Sequence, residues 1–294
     1  MTGCRFLKSV EWVSSEEMAR PSYFNRRIAV RLFAIPFFIF LTLVAPATAE
    51  TPEEKGLAIA LEAEKRDRGW GDSTSELEMI LMNRHGETSI RQMRGESLEV
   101  EGDGDKSLMV FDNPRDVKGS AMLTWSHKNG DDDQWLYLPA LKRVKRISSS
   151  SKSGSFMGSE FSYEDLSSRE VEKYSYRFLR EEPCPCEELK SLTCFVSESF
   201  PVDKSSGYTR IVSWLDTNDY RSCKVEFYDR KSSHLKTLLS SNYKRFLDKF
   251  WRPMRLDVTN HQSGKSTTLE FKEYKFKTGL KDSDFNQNAL MRFK

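Results

Sequence analysis

The sequence predicts a mainly β protein, in which antiparallel strands follow a single N-terminal helix. About ten or eleven short segments after residue 70 are rich in alternating apolar, β-branched and aromatic residues, with turn residues between them. Asn129-Gly130 stands between two such segments and is typical of a hairpin turn. Strands do not alternate with helices and no internal repeat occurs, so the pattern favours one domain built as a sandwich or a barrel.

The predicted helix begins at Thr51. This residue can cap the helix, a proline suits its first turn, and Glu54 completes a capping box. Leu57 and Leu61 lie on the apolar side of the helix, and basic residues follow in its last turn. We expect this amphipathic helix to end near Gly69.

The residues before the helix are typical of an export signal. A basic segment precedes an uncharged apolar run over residues 32–49, which ends in an A-x-A pattern at Ala49. A basic start, an apolar stretch and small residues at the cleavage position are the parts of a secretory signal peptide. A transmembrane anchor is the alternative and needs roughly 20 apolar residues, but Pro36 and Pro46 interrupt this run. We expect export to the periplasm with cleavage after Ala49.

The predicted signal peptide divides the chain into a leader, residues 1–49, and the part that follows it. Residues 18–49 are the predicted signal peptide with Met18 as the expected initiator, so residues 1–17 are interpreted as an extension of the gene model. Residues 50–294 then form a single β domain. Six basic and three acidic residues precede Glu50, so the net charge of +2 of the whole chain comes from the leader. The remaining domain is nearly neutral, which gives no reason to expect nucleic acid as a partner.

Four cysteines lie in the predicted exported domain. An even number of cysteines in an oxidising compartment predicts two disulfides. Three pairings are possible, and the sequence does not choose among them. Zinc is the alternative, but the spacing is a poor match to metal sites and no histidine is nearby. We therefore predict disulfides and no metal among Cys184, Cys186, Cys194 and Cys223.

Catalytic motifs do not occur in the sequence. The four histidines are scattered, and there is no H-E-x-x-H, P-loop or G-x-S-x-G pattern. Glu160, Glu164 and Asp165 form an acidic group without a partner motif. The aspartates over residues 131–133 follow Asn-Gly and are typical of a solvated turn rather than a cation site. We predict a protein that is not an enzyme and needs no cofactor.

One serine- and glycine-rich segment, over residues 147–162, interrupts the strand pattern. It carries the large apolar residues Phe156, Met157 and Phe161. A polar surface loop is the ordinary interpretation of such a composition. The apolar side chains either pack back as a local anchor or belong to a mobile flap over an apolar pocket, and the sequence leaves both alternatives open.

The stretch from Gly119 to Leu166 resembles the outer membrane lipoprotein-sorting protein family. It reads GSAMLTWSHKNGDDDQWLYLPALKRVKRISSSSKSGSFMGSEFSYEDL. Segments over residues 56–72, 210–239 and 267–292 also fit the family, so the resemblance covers nearly all of the predicted exported domain. The family includes domains of the TP-0789 type and is similar in fold to the LolA and LolB lipoprotein carriers. The Cys-Pro-Cys hairpin at Cys184 is a departure from the family pattern.

The resemblance implies a fold, a function and partners. The fold is an unclosed antiparallel β-barrel of about eleven strands around an apolar cavity, with the N-terminal helix and a loop or helix as a lid. The function is that of a periplasmic carrier or chaperone, which takes acyl chains of lipid or acylated lipoprotein cargo for transport to the outer membrane. An inner-membrane transporter of the RND type is the implied partner. The alternative is a sensor or adaptor domain that binds a membrane partner. We expect a monomer.

The candidate ligand residues are large apolar side chains on the helix, the strands and the serine-rich segment. Such residues on strands are first of all core, but the inward face of a curved sheet can also line a cavity. Arg143 and Arg146 are candidates for contact with a phosphate headgroup, and the alternative is an exposed basic edge that discourages strand pairing. The predicted cavity residues are Leu57, Leu61, Trp125, Trp135, Tyr137, Phe156, Met157 and Phe161.

Overall fold

The computed structural model of the protein describes residues 49–292. The predicted signal peptide and residues 1–17 lie outside the described residues, apart from Ala49. The described chain contains one α-helix and thirteen strands. These elements are α1 (Pro52–Asp67), β1 (Asp72–Met82), β2 (Thr88–Leu98), β3 (Lys106–Asn113), β4 (Ala121–Trp125), β5 (Asp133–Leu138), β6 (Arg143–Ile147), β7 (Tyr174–Pro183), β8 (Thr193–Pro201), β9 (Tyr208–Asp216), β10 (Ser222–Asp229), β11 (His234–Phe246), β12 (Phe250–Asn260) and β13 (Ser266–Phe276).

All thirteen strands belong to one antiparallel sheet. Their order across the sheet is β6-β5-β4-β3-β2-β1-β13-β12-β11-β10-β9-β8-β7, so two meanders meet where β13 pairs with β1. Strands β6 and β7 are the two edges and do not pair with each other, so the barrel is not closed. The predicted unclosed antiparallel fold is confirmed. The strand number is thirteen rather than about eleven.

Residues 148–173 carry the chain from one edge of the sheet to the other, and we name them the crossing segment. The segment packs on the face of the sheet that carries Met122 and Leu136, and we name this the inner face. Phe156 and Phe161 of the crossing segment are buried in the same apolar cluster. The segment therefore fills the inner face over the β1–β5 half of the sheet.

The opposite face, which we name the outer face, is covered over β3–β5 by the C-terminal part of the chain. Trp135 on this face shares a buried cluster with Phe285 and Leu290. Its neighbour Leu136 belongs to the inner-face cluster instead. This division follows from strand geometry, because successive side chains point to opposite faces.

Two disulfides hold the outer face of the β7–β10 half. Cys184 pairs with Cys194 and Cys186 pairs with Cys223. The prediction of two disulfides is confirmed, and the structure decides the pairing that the sequence left open. These sulfur atoms lie in a buried cluster that includes Trp214, and zinc is not needed to explain their grouping.

Helix α1 packs against the edge strand β7. The predicted capping box is present, since the Glu54 amide donates to Thr51 Oγ1 at 3.2 Å and the Thr51 amide donates to Glu54 Oε2 at 2.8 Å. A Cβ atom at Gly56 would lie only 2.7 Å from the backbone nitrogen of Phe178, so the close approach of helix and strand requires glycine here. Within residues 49–292, no helix has the length and the apolar composition that a membrane span requires.

Candidate functional site

Two neighbouring cavities lie on the inner face in the β8–β12 half of the sheet. Cavity A has a volume of about 610 Å³ and cavity B of about 560 Å³. Both volumes fall in the range of about 300–1,000 Å³ that is usual for small-molecule sites. Lys128, Ser168, Arg169 and Val225 line both cavities, so the two adjoin at the end of the crossing segment.

Several of the inner-face side chains that line cavity A are small. Ser197 and Ser199 on β8, Ser213 on β9 and Ser240 on β11 line cavity A. In the β1–β5 half, the equivalent positions hold residues such as Met93 and the crossing segment fills the remaining space. Serine side chains leave the concave side of the same sheet unfilled, so a ligand can occupy that space.

The walls of the two cavities differ in character. Cavity B has a continuous apolar wall from strands β9 to β12. Cavity A is covered by helix α1, which contributes Ile59, Ala60 and Ala63. The apolar residues that form the wall of cavity B are Ile211, Val225, Phe227, Leu238, Leu256 and Val258.

The predicted strand residues Trp125, Trp135 and Tyr137 lie on the outer face, in or against the cluster that contains Phe285. The Trp125 indole nitrogen donates to the Phe285 carbonyl oxygen at 2.8 Å. These three side chains therefore do not line cavities A or B, because the alternation along β4 and β5 turns them away from the inner face. They contribute instead to packing of the C-terminal segment.

The predicted residues of the crossing segment lie on the inner face but are mostly core. The Phe156 ring is fully buried, with its centroid 5.7 Å from that of Phe111 and 5.9 Å from that of Tyr163. Met157 packs against the same cluster, and Phe161 lines cavity B. Of the two interpretations left open by the sequence, the structure shows the packed anchor.

Leu57 and Leu61 lie on the exposed side of helix α1, with 42% and 48% of their surface accessible. The buried positions of the helix are Gly56 and Ile59, on a different side of the helix from the predicted ones. The structure therefore does not bring the eight predicted cavity residues together around one ligand. Their role in lipid binding stays a prediction.

Arg143 and Arg146 lie on the edge strand β6. Both are exposed, and Arg146 forms an ion pair with Asp133. This position matches the alternative interpretation, since basic side chains on an open edge discourage pairing with another strand. The edge is remote in strand order from β8–β12, which form the cavities.

A buried ion pair holds the crossing segment on the sheet. Lys236 is 3% exposed, and its ammonium group lies 2.5 Å from Asp165 Oδ2 and donates to the Glu160 carbonyl oxygen at 2.9 Å. The Tyr208 hydroxyl donates to Asp165 Oδ1 at 2.8 Å, and burial raises the pKa of Tyr208 well above its usual range. The acidic group seen in the sequence therefore has a partner, Lys236, which only the fold brings near.

A second polar group lies at the junction of the two cavities. Arg169 donates to Ser199 Oγ and, at 3.5 Å, to Ser213 Oγ. The buried Ser197 Oγ has no hydrogen-bond partner among the described residues. Sequence reasoning missed these residues, and the only signal was the occurrence of serines two residues apart in a strand that should otherwise carry apolar inner positions.

Carboxyl groups line the other side of cavity A, near the end of helix α1. Burial, together with the nearby Glu170 and Glu99 carboxylates, raises the pKa of Asp105 to about 7. Burial also raises the pKa of Glu170, whose carboxylate accepts a hydrogen bond from Ser168 Oγ at 2.8 Å. This side of the cavity therefore carries a carboxyl group that titrates near neutral pH.

Comparison with known proteins decides the family. Residues 103–292 match the model of a family described as an uncharacterized protein. The solved structure of an outer membrane lipoprotein-sorting protein domain from Vibrio parahaemolyticus is 59% identical in sequence, with a TM-score of 0.79. The similarity covers 82% of this chain and 100% of that one. The chain belongs to the outer membrane lipoprotein-sorting protein family.

Two further solved structures extend the similarity of this lipoprotein-sorting family member. A DUF1329 family protein from Desulfovibrio piger is 32% identical, with a TM-score of 0.76 over 82% of this chain and 99% of that one. A LolA superfamily protein from Nitrosomonas europaea is 19% identical, with a TM-score of 0.62 over 80% of this chain and 98% of that one, and it shows a shared fold. A comparison with curated proteins finds no match. The predicted family and LolA-like fold are confirmed, and with the disulfides they indicate an extracytoplasmic protein.

Proposed function

We propose that this protein is a periplasmic carrier or chaperone that takes acyl chains of a lipid or an acylated lipoprotein into cavities A and B. The observation that carries the proposal is the pair of adjoining cavities on the inner face of an unclosed LolA-like barrel. Membership of the lipoprotein-sorting family supports the same function. Delivery towards the outer membrane and an RND-type transporter as partner are further parts of the proposal.

The apolar wall of cavity B supports binding of an acyl chain without covalent chemistry. Each methylene group removed from water contributes about 0.8 kcal/mol. A chain that places several methylene groups against Phe227, Leu238 and Leu256 therefore gains enough free energy for stable binding. A binding protein needs nothing more from this wall, and the proposal does not include catalysis.

A carrier must also release its cargo, and helix α1 is the better candidate for the moving cover. Its ion pairs include exposed ones, Lys55 with Glu181 at 3.1 Å and Asp67 with Arg252 at 2.5 Å, and one part-buried pair, Glu64 with Lys128 at 3.2 Å. Exposed pairs contribute only about 0–1 kcal/mol each. The crossing segment is held instead by the buried Lys236–Asp165 pair and by the buried Phe156 ring. Opening at helix α1 therefore costs less than removal of the crossing segment.

The direct test is to fill cavity A with a large side chain and to measure whether bound lipid is lost. Native mass spectrometry of the exported protein purified from a periplasm should detect bound lipid, close to one molecule per chain. Ser240→Trp places a large side chain in cavity A and should abolish the bound species. Leu239→Trp is the matched control, because the neighbouring side chain is 43% exposed on the outer face. Ala60→Trp on helix α1 is a second way to fill the cavity if Ser240→Trp does not fold.

Lipid-free protein that also fails to take up a fluorescent fatty acid would refute the carrier proposal. The alternative, an adaptor that binds a membrane partner, predicts instead that the filled variants keep their partner. Co-purification of an inner-membrane transporter with wild-type and Ser240→Trp protein separates the two functions. The same preparation tests the proposed cleavage after Ala49 and the monomeric state, by intact mass and by light scattering.

A further inference from the structure

Three serine residues line cavity A on the side where the guanidinium group of Arg169 lines both cavities. Ser197 and Ser213 are direct partners across β8 and β9, so their side chains are neighbours on the inner face. Ser199 follows Ser197 by two residues and points to the same face. Arg169 of the crossing segment lines both cavities and contacts Ser199 and Ser213.

The hydrogen bonds in this group leave donors without acceptors. A guanidinium group only donates, so Ser199 and Ser213 accept from Arg169 and keep their own hydroxyl hydrogens for another partner. Ser197 is 6% exposed, lines cavity A, and its Oγ has no hydrogen-bond partner among residues 49–292. Buried polar groups are nearly always paired, so an orphan hydroxyl that faces a cavity points to a ligand atom.

The positive charge of Arg169 is not neutralised by the protein. Among the described residues, Arg169 forms no ion pair with a carboxylate, and its guanidinium lies 4.9 Å from the centre of the Tyr174 ring. Neighbouring acids have other partners: Glu170 accepts from Ser168 Oγ, and Glu164 accepts from Ser206 and from the Gly207 amide. The other basic residue common to both cavities, Lys128, lies 3.2 Å from Glu64.

We propose that Arg169 and the three serines bind the acidic headgroup, a phosphate or a carboxylate, of a lipid whose chains lie in cavities A and B. The inference rests on the proposed carrier function and names the chemistry of its cargo. Guanidinium and hydroxyl donors match the oxygen atoms of such an anion. Arg169 is exposed, so water hydrates its charge when no anion is bound. An acidic headgroup adds charge-assisted hydrogen bonds that a neutral headgroup lacks, so the site favours acidic lipids over neutral lipids of the same chain length.

The test uses two lipids with identical chains, dioleoylphosphatidate and dioleoylglycerol, which differ in the phosphate. Equilibrium binding to the delipidated exported protein should be about ten- to a hundredfold tighter for the phosphatidate, as expected for charge-assisted hydrogen bonds. Arg169→Gln should remove this preference, so that the ratio of the two affinities measured in the same variant falls to near one. Arg210→Gln is the control, since Arg210 lies on the outer face of β9 and pairs with Glu198.

The outcomes separate this inference from the proposed function. Binding of neither lipid overturns the headgroup site, and it refutes the carrier function as well if the protein also fails to take up the fluorescent fatty acid. Equal binding of both lipids by the wild type, or a preference that survives in Arg169→Gln, overturns the headgroup site and leaves the carrier function standing. Inorganic phosphate that binds as tightly as the phosphatidate would assign the site to the free anion and overturn its assignment to a lipid.

Discussion

Replacing Lys236 with methionine removes the cation that holds the crossing segment to the inner face. Lys236 is 3% exposed, and its ammonium group contacts both Asp165 and the Glu160 carbonyl oxygen. The methionine side chain fills a similar volume, so the change removes the charge with little loss of packing. The carboxylate of Asp165 is then left largely buried, with the Tyr208 hydroxyl as a remaining donor.

The magnitude follows from the burial of the pair. Breaking a buried ion pair by removal of one partner costs about 3–5 kcal/mol, because the remaining charge is uncompensated. That is a large part of a total free energy of unfolding of about 5–15 kcal/mol. The matched control is Arg146→Met, which breaks the exposed pair with Asp133 and should cost about 0–1 kcal/mol. In the double variant Lys236→Met with Asp165→Asn, part of the lost stability should return because no charge remains buried.

Urea unfolding of the exported protein at neutral pH, followed by tryptophan fluorescence, measures each difference. The pair should also control the crossing segment locally, so limited proteolysis within residues 148–173 should become faster in Lys236→Met than in Arg146→Met. A loss below about 1 kcal/mol for Lys236→Met, equal to the exposed control, would refute the reasoning. It would show that the crossing segment does not depend on this pair.

Three further predictions concern helix α1, the acidic side of cavity A and the disulfides. Gly56→Ala places a Cβ atom 2.7 Å from the Phe178 backbone nitrogen. Thermal unfolding should therefore show that the free energy of unfolding falls by about 1–3 kcal/mol, and proteolysis should release the helix. An unchanged melting temperature would contradict the close approach of helix and strand. Burial raises the pKa of Asp105 to about 7, so the folded state favours the protonated acid and stability falls as pH rises from about 4 to about 7, by at most about 4 kcal/mol. Asp105→Asn should therefore unfold at a higher temperature than wild type near pH 8 and at a similar temperature near pH 4, and equal differences at both values would exclude this titration. Cys186→Ser with Cys223→Ser removes a link across 37 residues and should cost about 2–5 kcal/mol in urea unfolding, whereas a smaller loss would mean that the outer-face cluster holds this end of the sheet unaided.

The disulfides and the basic strand β6 each have one property that the sequence shows and another that only the folded sheet shows. Four cysteines in an exported chain imply two disulfides from composition and compartment alone. The pairing of Cys186 with Cys223 depends on β10 lying beside β9, which only the folded sheet establishes. Likewise, the basic character of residues 142–146 is visible in the sequence, but their position at an open edge is a property of strand order.

What the sequence determined by itself was local in origin. The capping box at Thr51, the hairpin at Asn129-Gly130 and the alternation of the strands depend on residues within a few positions of each other, so their pattern alone predicts them. The resemblance over residues 119–166 predicted the family and the unclosed barrel, and both are confirmed.

The tertiary structure decided which face of the sheet is filled and which is hollow. Alternation shows that Trp135 and Leu136 point to opposite faces, but it does not show that the C-terminal segment covers one and the crossing segment the other. Small serines line cavity A together with aromatic residues such as Tyr243 and Trp251, so the size of a side chain in the sequence does not show whether the space it faces is filled. Arg169 meets Ser199 and Ser213 only through the crossing segment and the neighbouring strands β8 and β9, and such contacts between distant residues are set by packing of the whole chain.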